Sequence, residues 1–211
     1  DGDHVTYRTT PKMAERKEAR RRSILAAASR LFGRHGYHAT TVPMIVAEAA
    51  SSTGSFYFYF RNKEDVFAAA LRDLGKRITA AIDAATENAQ PDPVSHMRAA
   101  LSGFIAFLSQ HPGDARVLIV ESSGLSPQLE LIRRSVIAGH CRAVEGALRT
   151  LAPGPTPLDP SITARCWTGA VYEAVYSWLE LPKARRPSAK ALADAVTSFN
   201  LRGIGGWRTD P

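Results

Sequence analysis

The sequence predicts an all-α fold, with a small basic module at the N-terminus followed by a larger helical domain. No stretch shows the period-two alternation of β-branched residues that is typical of strands, whereas apolar residues recur at helical spacing along nearly the whole chain. Clusters of Pro and Gly separate these apolar stretches. The 211 residues are sufficient for one or two domains with a buried core.

Positive charge is concentrated in the first third of the chain. The net charge is +7; residues 1–63 contain 11 Lys and Arg against 5 Asp and Glu, and the remainder is nearly neutral, with 16 against 15. Because attraction to a polyanion and counterion release both increase with clustered charge, this excess favours nucleic acid or an anionic membrane surface as a partner. A solvated basic helix face is the plain alternative.

Composition argues against several classes of protein. The longest apolar stretch, around residues 101–108, is far shorter than the ~20 residues of a membrane-spanning helix. The first four residues lack the apolar core of a secretory signal. Cys141 and Cys166 cannot form a disulfide framework and lack the paired spacing of a zinc site. We therefore expect a reducing, cytoplasmic location.

Capping signals divide the basic module into three short helices. An apolar face formed by Ile24, Leu25, Ala28, Leu31 and Phe32 predicts a first helix, which Gly36 ends. Thr41 is the expected N-cap of a second helix with Pro43 in its first turn, and Ser52 is the expected N-cap of a third helix running through Phe60. Asn62 then caps a fourth helix that begins at Lys63.

Longer helices are predicted for the rest of the chain. Apolar spacing and Pro or Gly breaks place them at about residues 63–85, 94–109, 115–122, 127–151, 160–181 and 188–202. The tail from residue 203 onward is expected to be frayed.

The third helix has an unusual outward face. On a 100° wheel, Phe56 and Phe60 define the core side, whereas Gly54, Ser55 and Phe58 point away from it. Tyr57 and Tyr59 flank that outward strip. Five consecutive aromatic residues cannot all face one core, although a plain aromatic core is the alternative hypothesis. Small residues allow close approach to a DNA major groove, Phe58 can contact thymine methyl groups, and tyrosines can donate to phosphates.

Lys63 adds to this interpretation. A cation in the first turn of a helix opposes the helix dipole, so its placement beside Glu64 and Asp65 needs a reason. A phosphate group bound at that N-terminus supplies one.

Two helices joined by a short turn, after a basic helix, predict a helix-turn-helix module. Residues 16–66 resemble the N-terminal signature of TetR-family transcriptional regulators, through Thr40, Thr41, Val42, Ile45, Ala49, Ser52, Gly54, Phe56, Tyr57, Tyr59, Phe60, Asn62, Lys63, Glu64 and Asp65. The resemblance implies a dimeric, usually repressing regulator whose C-terminal domain binds a small molecule and thereby releases operator DNA. By position, it implies DNA-facing roles for Thr41, Thr53, Ser55, Tyr57, Phe58, Tyr59 and Lys63. Ser52 and Gly54 complete the predicted DNA-binding set.

The sequence departs from the family pattern at three positions. Ala50 and Ser51 stand where the family usually has Gly and an aliphatic residue, so a left-handed turn residue here costs about 1 kcal/mol relative to Gly. Pro43 stands where Arg is common. The outward strip contains no Arg, Gln or Asn, so we expect specificity to rely on Phe58, Ser55, DNA shape and a basic arm over residues 8–22.

The predicted division is a basic arm and DNA-binding domain at residues 1–62, followed by an effector-binding and dimerisation domain at 63–211. A small lipophilic or amphipathic effector is expected among the helices that start near residues 63, 94, 127 and 160. Its candidate contacts are Met97, Leu101, Phe104, Phe107, Leu108, Trp167, Tyr172 and Tyr176. A solid core is the alternative for these residues. The last two helices are expected to form a homodimer interface.

An enzyme is not expected. The six histidines are scattered, and the adjacent His140 and Cys141 point about 100° apart on a helix. No catalytic group, metal site or cofactor is predicted, and Glu121 is either an effector contact or an ordinary paired carboxylate. The predicted function is a sequence-specific transcriptional regulator that binds double-stranded operator DNA, with a small-molecule carrier or sensor bound to an anionic membrane surface as the alternative.

Overall fold

The computed structural model describes residues 11–151 and 159–204. Within these ranges the chain forms α-helices and no strand, and the all-α prediction is confirmed. The helices are α1 (Pro11–Ala39), α2 (Val42–Glu48), α3 (Thr53–Tyr59), α4 (Lys63–Thr86), α5 (Pro93–Gln110), α6 (Pro112–Arg116), α7 (Pro127–Arg149), α8 (Pro160–Glu180) and α9 (Ala189–Gly203). A π-helical turn (Val117–Glu121) follows α6, and a 3-10 turn (Lys183–Arg185) precedes α9.

The predicted caps begin the helices of the basic module. The hydroxyls of Thr41 and Ser52 accept backbone N–H groups at the starts of α2 and α3. The Asn62 side chain accepts the N–H of Asp65 at 2.8 Å. Gly36 has φ 79° and interrupts the regular turns of α1, where a residue without a Cβ atom is favoured. Side-chain caps also begin the later helices α5, α7, α8 and α9.

The chain divides into two compact units, one ending at Ala70 and the other beginning at Leu71. Aromatic packing explains why the first unit includes the start of α4. The Phe67 ring meets Phe32 edge to face, with ring centroids 4.8 Å apart, and Tyr37 at 4.9 Å. The predicted functional division before Lys63 stays a proposal.

In the second unit, α4 and α5 approach closely at Gly103. A Cβ atom built there would lie 2.6 Å from the Cβ of Ala85, so the crossing requires glycine. Two turns earlier in α4, the Arg77 guanidinium donates to the Asp114 carboxylate of α6 at 2.8 Å. These contacts hold α4 against α5 and α6.

No helix in the described ranges is both long and apolar enough to cross a membrane.

Parts of the predicted basic arm, the Pro and Gly loop at 152–158 and the tail from 205 fall outside the described residues.

The turn between α2 and α3 yields a stability prediction. Ala50 has φ 45°, a left-handed conformation in which its Cβ atom is unfavourable. We expect Ala50→Gly to increase the free energy of unfolding of the first unit by about 1 kcal/mol. Ala47→Gly, in α2, is the matched control and should lower it by a similar amount, because glycine weakens helices. Urea unfolding followed by circular dichroism measures both changes; an unchanged or less stable Ala50→Gly protein contradicts the prediction.

Candidate functional site

The first candidate site is the outer face of α3, called here the recognition surface and made of Thr41 and residues 52–59. Phe56 and Phe60 are 0% and 2% exposed, so they anchor the helix inward as the wheel predicts. Tyr57 and Phe58 are 54% and 67% exposed. An aromatic ring as exposed as that of Phe58 is available for an apolar contact with a partner.

The other predicted residues surround these two aromatic rings. Thr41, Ser52, Thr53 and Gly54 are exposed, whereas Ser55 and Tyr59 are half-buried. The hydroxyl oxygens of Thr41 and Ser52 accept backbone N–H groups as N-caps. A hydroxyl group that accepts in this way retains its own O–H for donation, for example to a phosphate.

Cations of α1 lie beside the recognition surface. The Lys17 ammonium is 5.6 Å from the centroid of the Phe58 ring, and the Arg21 guanidinium is 5.6 Å from that of Phe60. Arg20 donates to the carbonyl of Ala50, in the turn, at 3.3 Å. The sequence indicates a basic first helix but does not show which of its cations reach α3. The spacing of three and four residues among Lys17, Arg20 and Arg21 indicates only that these three share one face of α1.

Lys63 has an intramolecular role that the sequence did not reveal. Its Nζ donates to the carbonyls of Tyr37 at 2.8 Å and of His38 at 3.3 Å, and it lies 4.4 Å from the centroid of the Tyr37 ring. Burial lowers the pKa of Lys63. The cation therefore stabilises the C-terminal carbonyls of α1. Two of its three donors are used in this way, and a phosphate contact stays a prediction.

The second candidate site is an apolar cavity of about 240 Å³ within the second unit. Helices α4, α5, α7 and α8 line it, and the exposed His96 marks a side that is open to solvent. The residues that line it are Ile82, Thr86, His96, Met97, Ala100, Leu101, Phe104, His140, Ala143, Val144, Ala147, Trp167, Thr168, Val171 and Tyr172. Five of the eight predicted effector contacts are among them: Met97, Leu101, Phe104, Trp167 and Tyr172.

Phe107, Leu108 and Tyr176 are not among the residues that line this cavity, and their effector contacts stay predictions. Each lies about one helical turn beyond the last cavity residue on its helix, so it passes the end of the cavity. Phe107 instead stacks on His111 at 4.5 Å between ring centroids. Leu108 is buried in the core, and Tyr176 is 41% exposed.

His140 is a cavity residue that the sequence analysis missed. Its Nδ1 lies 2.9 Å from the Tyr172 hydroxyl, and its ring meets Phe104 edge to face at 5.4 Å. Burial lowers the pKa of His140 to about 4 and raises that of Tyr172, so both side chains are neutral at pH 7. The spacing of four residues from Val136 to His140 to Val144 could have placed this histidine on the inward side of α7.

The two threonines of the cavity differ in their hydrogen bonds. The Thr86 hydroxyl donates to backbone carbonyls of its own helix. The Thr168 side chain is 6% exposed, and its hydroxyl has no hydrogen-bond partner among the described residues. No Lys, Arg, Asp or Glu is among the cavity residues in the part of the chain that the structure describes. Glu121 lies elsewhere and pairs with Arg116 at 3.1 Å.

Comparison with known proteins covers both units. Residues 24–70 match the family model for bacterial regulatory proteins of the tetR family. The HTH-type transcriptional regulator HbdR of Aromatoleum sp. (strain CIB) is 41% identical over 66 residues, which span 31% of this chain and 28% of HbdR. The fatty acid metabolism regulator protein of Bacillus subtilis (strain 168) is 24% identical over 200 residues, 90% of this chain and 98% of that protein.

A solved structure extends the likeness in fold. FadR from Bacillus subtilis in complex with stearoyl-CoA matches with a TM-score of 0.75 at 21% identity, over 87% of this chain and 98% of FadR. The family model covers most of α1, the recognition surface and the first turns of α4, which are the elements that orient α3. The chain therefore carries the helix-turn-helix, DNA-binding domain of TetR-family transcriptional regulators, within a fold similar to that of FadR.

Proposed function

We propose that the protein is a repressor, which binds operator DNA as a homodimer and is released by a small lipophilic or amphipathic ligand. The observation that carries this proposal is the apolar cavity of about 240 Å³ among α4, α5, α7 and α8. A cavity of this kind, with a few polar groups, is typical of small-molecule sites. The division into a DNA-binding domain at residues 1–62 and an effector-binding and dimerisation domain at 63–211 belongs to the same proposal.

On DNA, Tyr57 and Lys63 contact phosphates, and Phe58 and Ser55 contact bases. The exposure of Phe58 supports its role, because a thymine methyl group would remove its ring from water. The nearby Lys17 and Arg20 add charge that attracts any DNA sequence. The membrane-bound carrier is not favoured, because the family match covers the basic module.

Helix α4 can couple the ligand to DNA binding. It runs unbroken from Lys63 to Thr86, so one helix carries a predicted phosphate contact at its start and two cavity residues, Ile82 and Thr86, at its end. A ligand shifts the equilibrium only if it binds the DNA-free geometry more tightly than the DNA-bound one. A ligand meets this condition if it binds most tightly when the end of α4 occupies a position that differs from its position on DNA.

Exposed apolar residues on α8 and α9 support a homodimer. Ile162 and Phe199 are 63% and 68% exposed, and Tyr176 is 41% exposed. Ile162, Cys166 and Gly169 recur at spacings of four and three, and Tyr176 follows seven residues later, so they share one exposed stripe along α8 with Glu173 between Gly169 and Tyr176. Burying the stripe and Phe199 against a second copy removes this apolar surface from water.

The DNA-binding roles predict different outcomes for two neighbouring variants. Phe58→Ala should select a different consensus from a random duplex library and bind the wild-type consensus about tenfold more weakly, because a base contact is lost. Tyr57→Phe is the matched control, since it removes only an exposed hydroxyl, and should select the wild-type consensus with lower affinity. Sequencing of selected duplexes and fluorescence anisotropy measure both. Identical consensus sequences for wild type and Phe58→Ala would rule out the base contact.

The homodimer predicts a mass of twice 22.9 kDa in light scattering at micromolar concentration. We expect Phe199→Glu to shift this mass toward that of one chain, because two like charges would face each other across the two-fold axis. Leu131→Glu is the matched control: Leu131 is 70% exposed but lies on α7, and its substitution should leave the dimer intact. A wild-type mass of one chain, or equal dissociation of both variants, contradicts this interface.

A further inference from the structure

The cavity holds a single buried hydroxyl that lacks a partner. Thr168 lines the cavity and is 94% buried. Its Oγ1 atom has no hydrogen-bond partner among the described residues. Leaving a buried hydroxyl unpaired is unfavourable, so such groups are usually satisfied by a partner. A ligand in the cavity is positioned to supply that partner.

Other polar side chains of the lining are already engaged. His140 Nδ1 and the Tyr172 hydroxyl bond to each other at 2.9 Å, and the Thr86 hydroxyl bonds to its own helix. His96 is exposed and therefore belongs to the outer part of the lining. Thr168 thus offers a ligand the one hydroxyl of the lining, in the described residues, that is buried and unpaired.

The cavity does not compensate charge. No acidic or basic side chain is among its lining residues in the described ranges, and His140 is neutral because burial lowers its pKa to about 4. The nearby Arg133 is held by two hydrogen bonds to Glu130, both 2.8 Å long. A carboxylate or phosphate inside the cavity would therefore be buried without a counter-charge, which is strongly unfavourable.

The volume limits the size of the ligand. About 240 Å³ exceeds the roughly 150 Å³ of a cavity that accommodates benzene, but falls below the ~300–1,000 Å³ of common ligand pockets. A substituted single ring fits this range. A long acyl chain exceeds this volume and would have to extend beyond the cavity.

We infer that the effector is a compact, uncharged lipophile of about one substituted ring, whose single hydroxyl or carbonyl group hydrogen-bonds to Thr168. This inference rests on the proposed function in taking the cavity as the effector site. It deepens that proposal by naming the ligand's charge, its size and the residue that recognises its polar group.

Three probes that share a tert-butylphenyl group test the inference: 4-tert-butylphenol, tert-butylbenzene and 4-tert-butylbenzoate. Isothermal titration calorimetry on the full chain at pH 7 should show the phenol binding about tenfold more tightly than the hydrocarbon, because only the phenol pairs with the Thr168 hydroxyl. The benzoate should bind more weakly than the phenol by at least that factor, because its charge is buried without compensation.

Two variants assign the preference to Thr168. Thr168→Val keeps the side-chain shape and should reduce the advantage of the phenol over the hydrocarbon to within about twofold. Thr197→Val is the matched control, because the Thr197 hydroxyl is also buried without a partner in the described residues but does not line the cavity. It should retain the full advantage. Thermal melting of both variants verifies that they fold.

Three results overturn the inference: a phenol that does not bind more tightly than the hydrocarbon, a benzoate that equals the phenol, or a preference that survives in Thr168→Val. A DNA-release assay separates this failure from that of the proposed function. If the phenol binds as expected but leaves the complex with DNA intact, the repressor proposal fails and the cavity chemistry stands. If stearoyl-CoA releases DNA while the phenol does not bind, the inference fails and ligand-released repression stands.

Discussion

Burial of Phe56 and Phe60 is the constraint on which the recognition surface depends. These two rings are almost fully buried, and the helical rotation between neighbouring residues then turns Tyr57 and Phe58 toward solvent. The N-cap at Ser52 fixes where α3 begins, and Lys63 holds the end of α1 through its two carbonyl contacts. The exposed aromatic face is thus a consequence of core packing and capping, independent of any DNA contact.

The fold could be predicted in detail because its signals are local. Caps such as Ser52 and Asp159, and breaks at Pro and Gly, act within one helical turn, and the structure shows helices beginning where these residues predict. The left-handed Ala50 lies in the turn that lacks the usual glycine, where the sequence indicated that such a conformation would be unfavourable. Signals of this kind do not require knowledge of the tertiary packing.

The cavity was predicted less completely because its limits are set by how four helices cross. Periodicity identifies the inward faces of α5 and α8, but not where along each helix the space between them ends. Phe107, Leu108 and Tyr176, about one turn farther along these helices, are not among the cavity residues. His140 was considered only beside Cys141, although its contact with Tyr172 joins two helices 32 residues apart in sequence.

The free energy that a ligand gains in the cavity has to be large enough to shift the protein from its DNA-bound to its DNA-free state. Shifting a two-state equilibrium from 1:99 to 99:1 requires about 5.5 kcal/mol of differential binding. In a homodimer two cavities act together, so each ligand needs to discriminate between the two geometries by only about half that amount. Non-covalent ligands of this size contribute roughly 0.3–1.5 kcal/mol per non-hydrogen atom, so a substituted ring has enough total binding energy for this. Release of DNA therefore depends on how much of that binding energy changes with the arrangement of the helices. A ligand that hydrogen-bonds to Thr168 on α8 and makes apolar contacts with Ile82 on α4 is sensitive to the distance between these two helices.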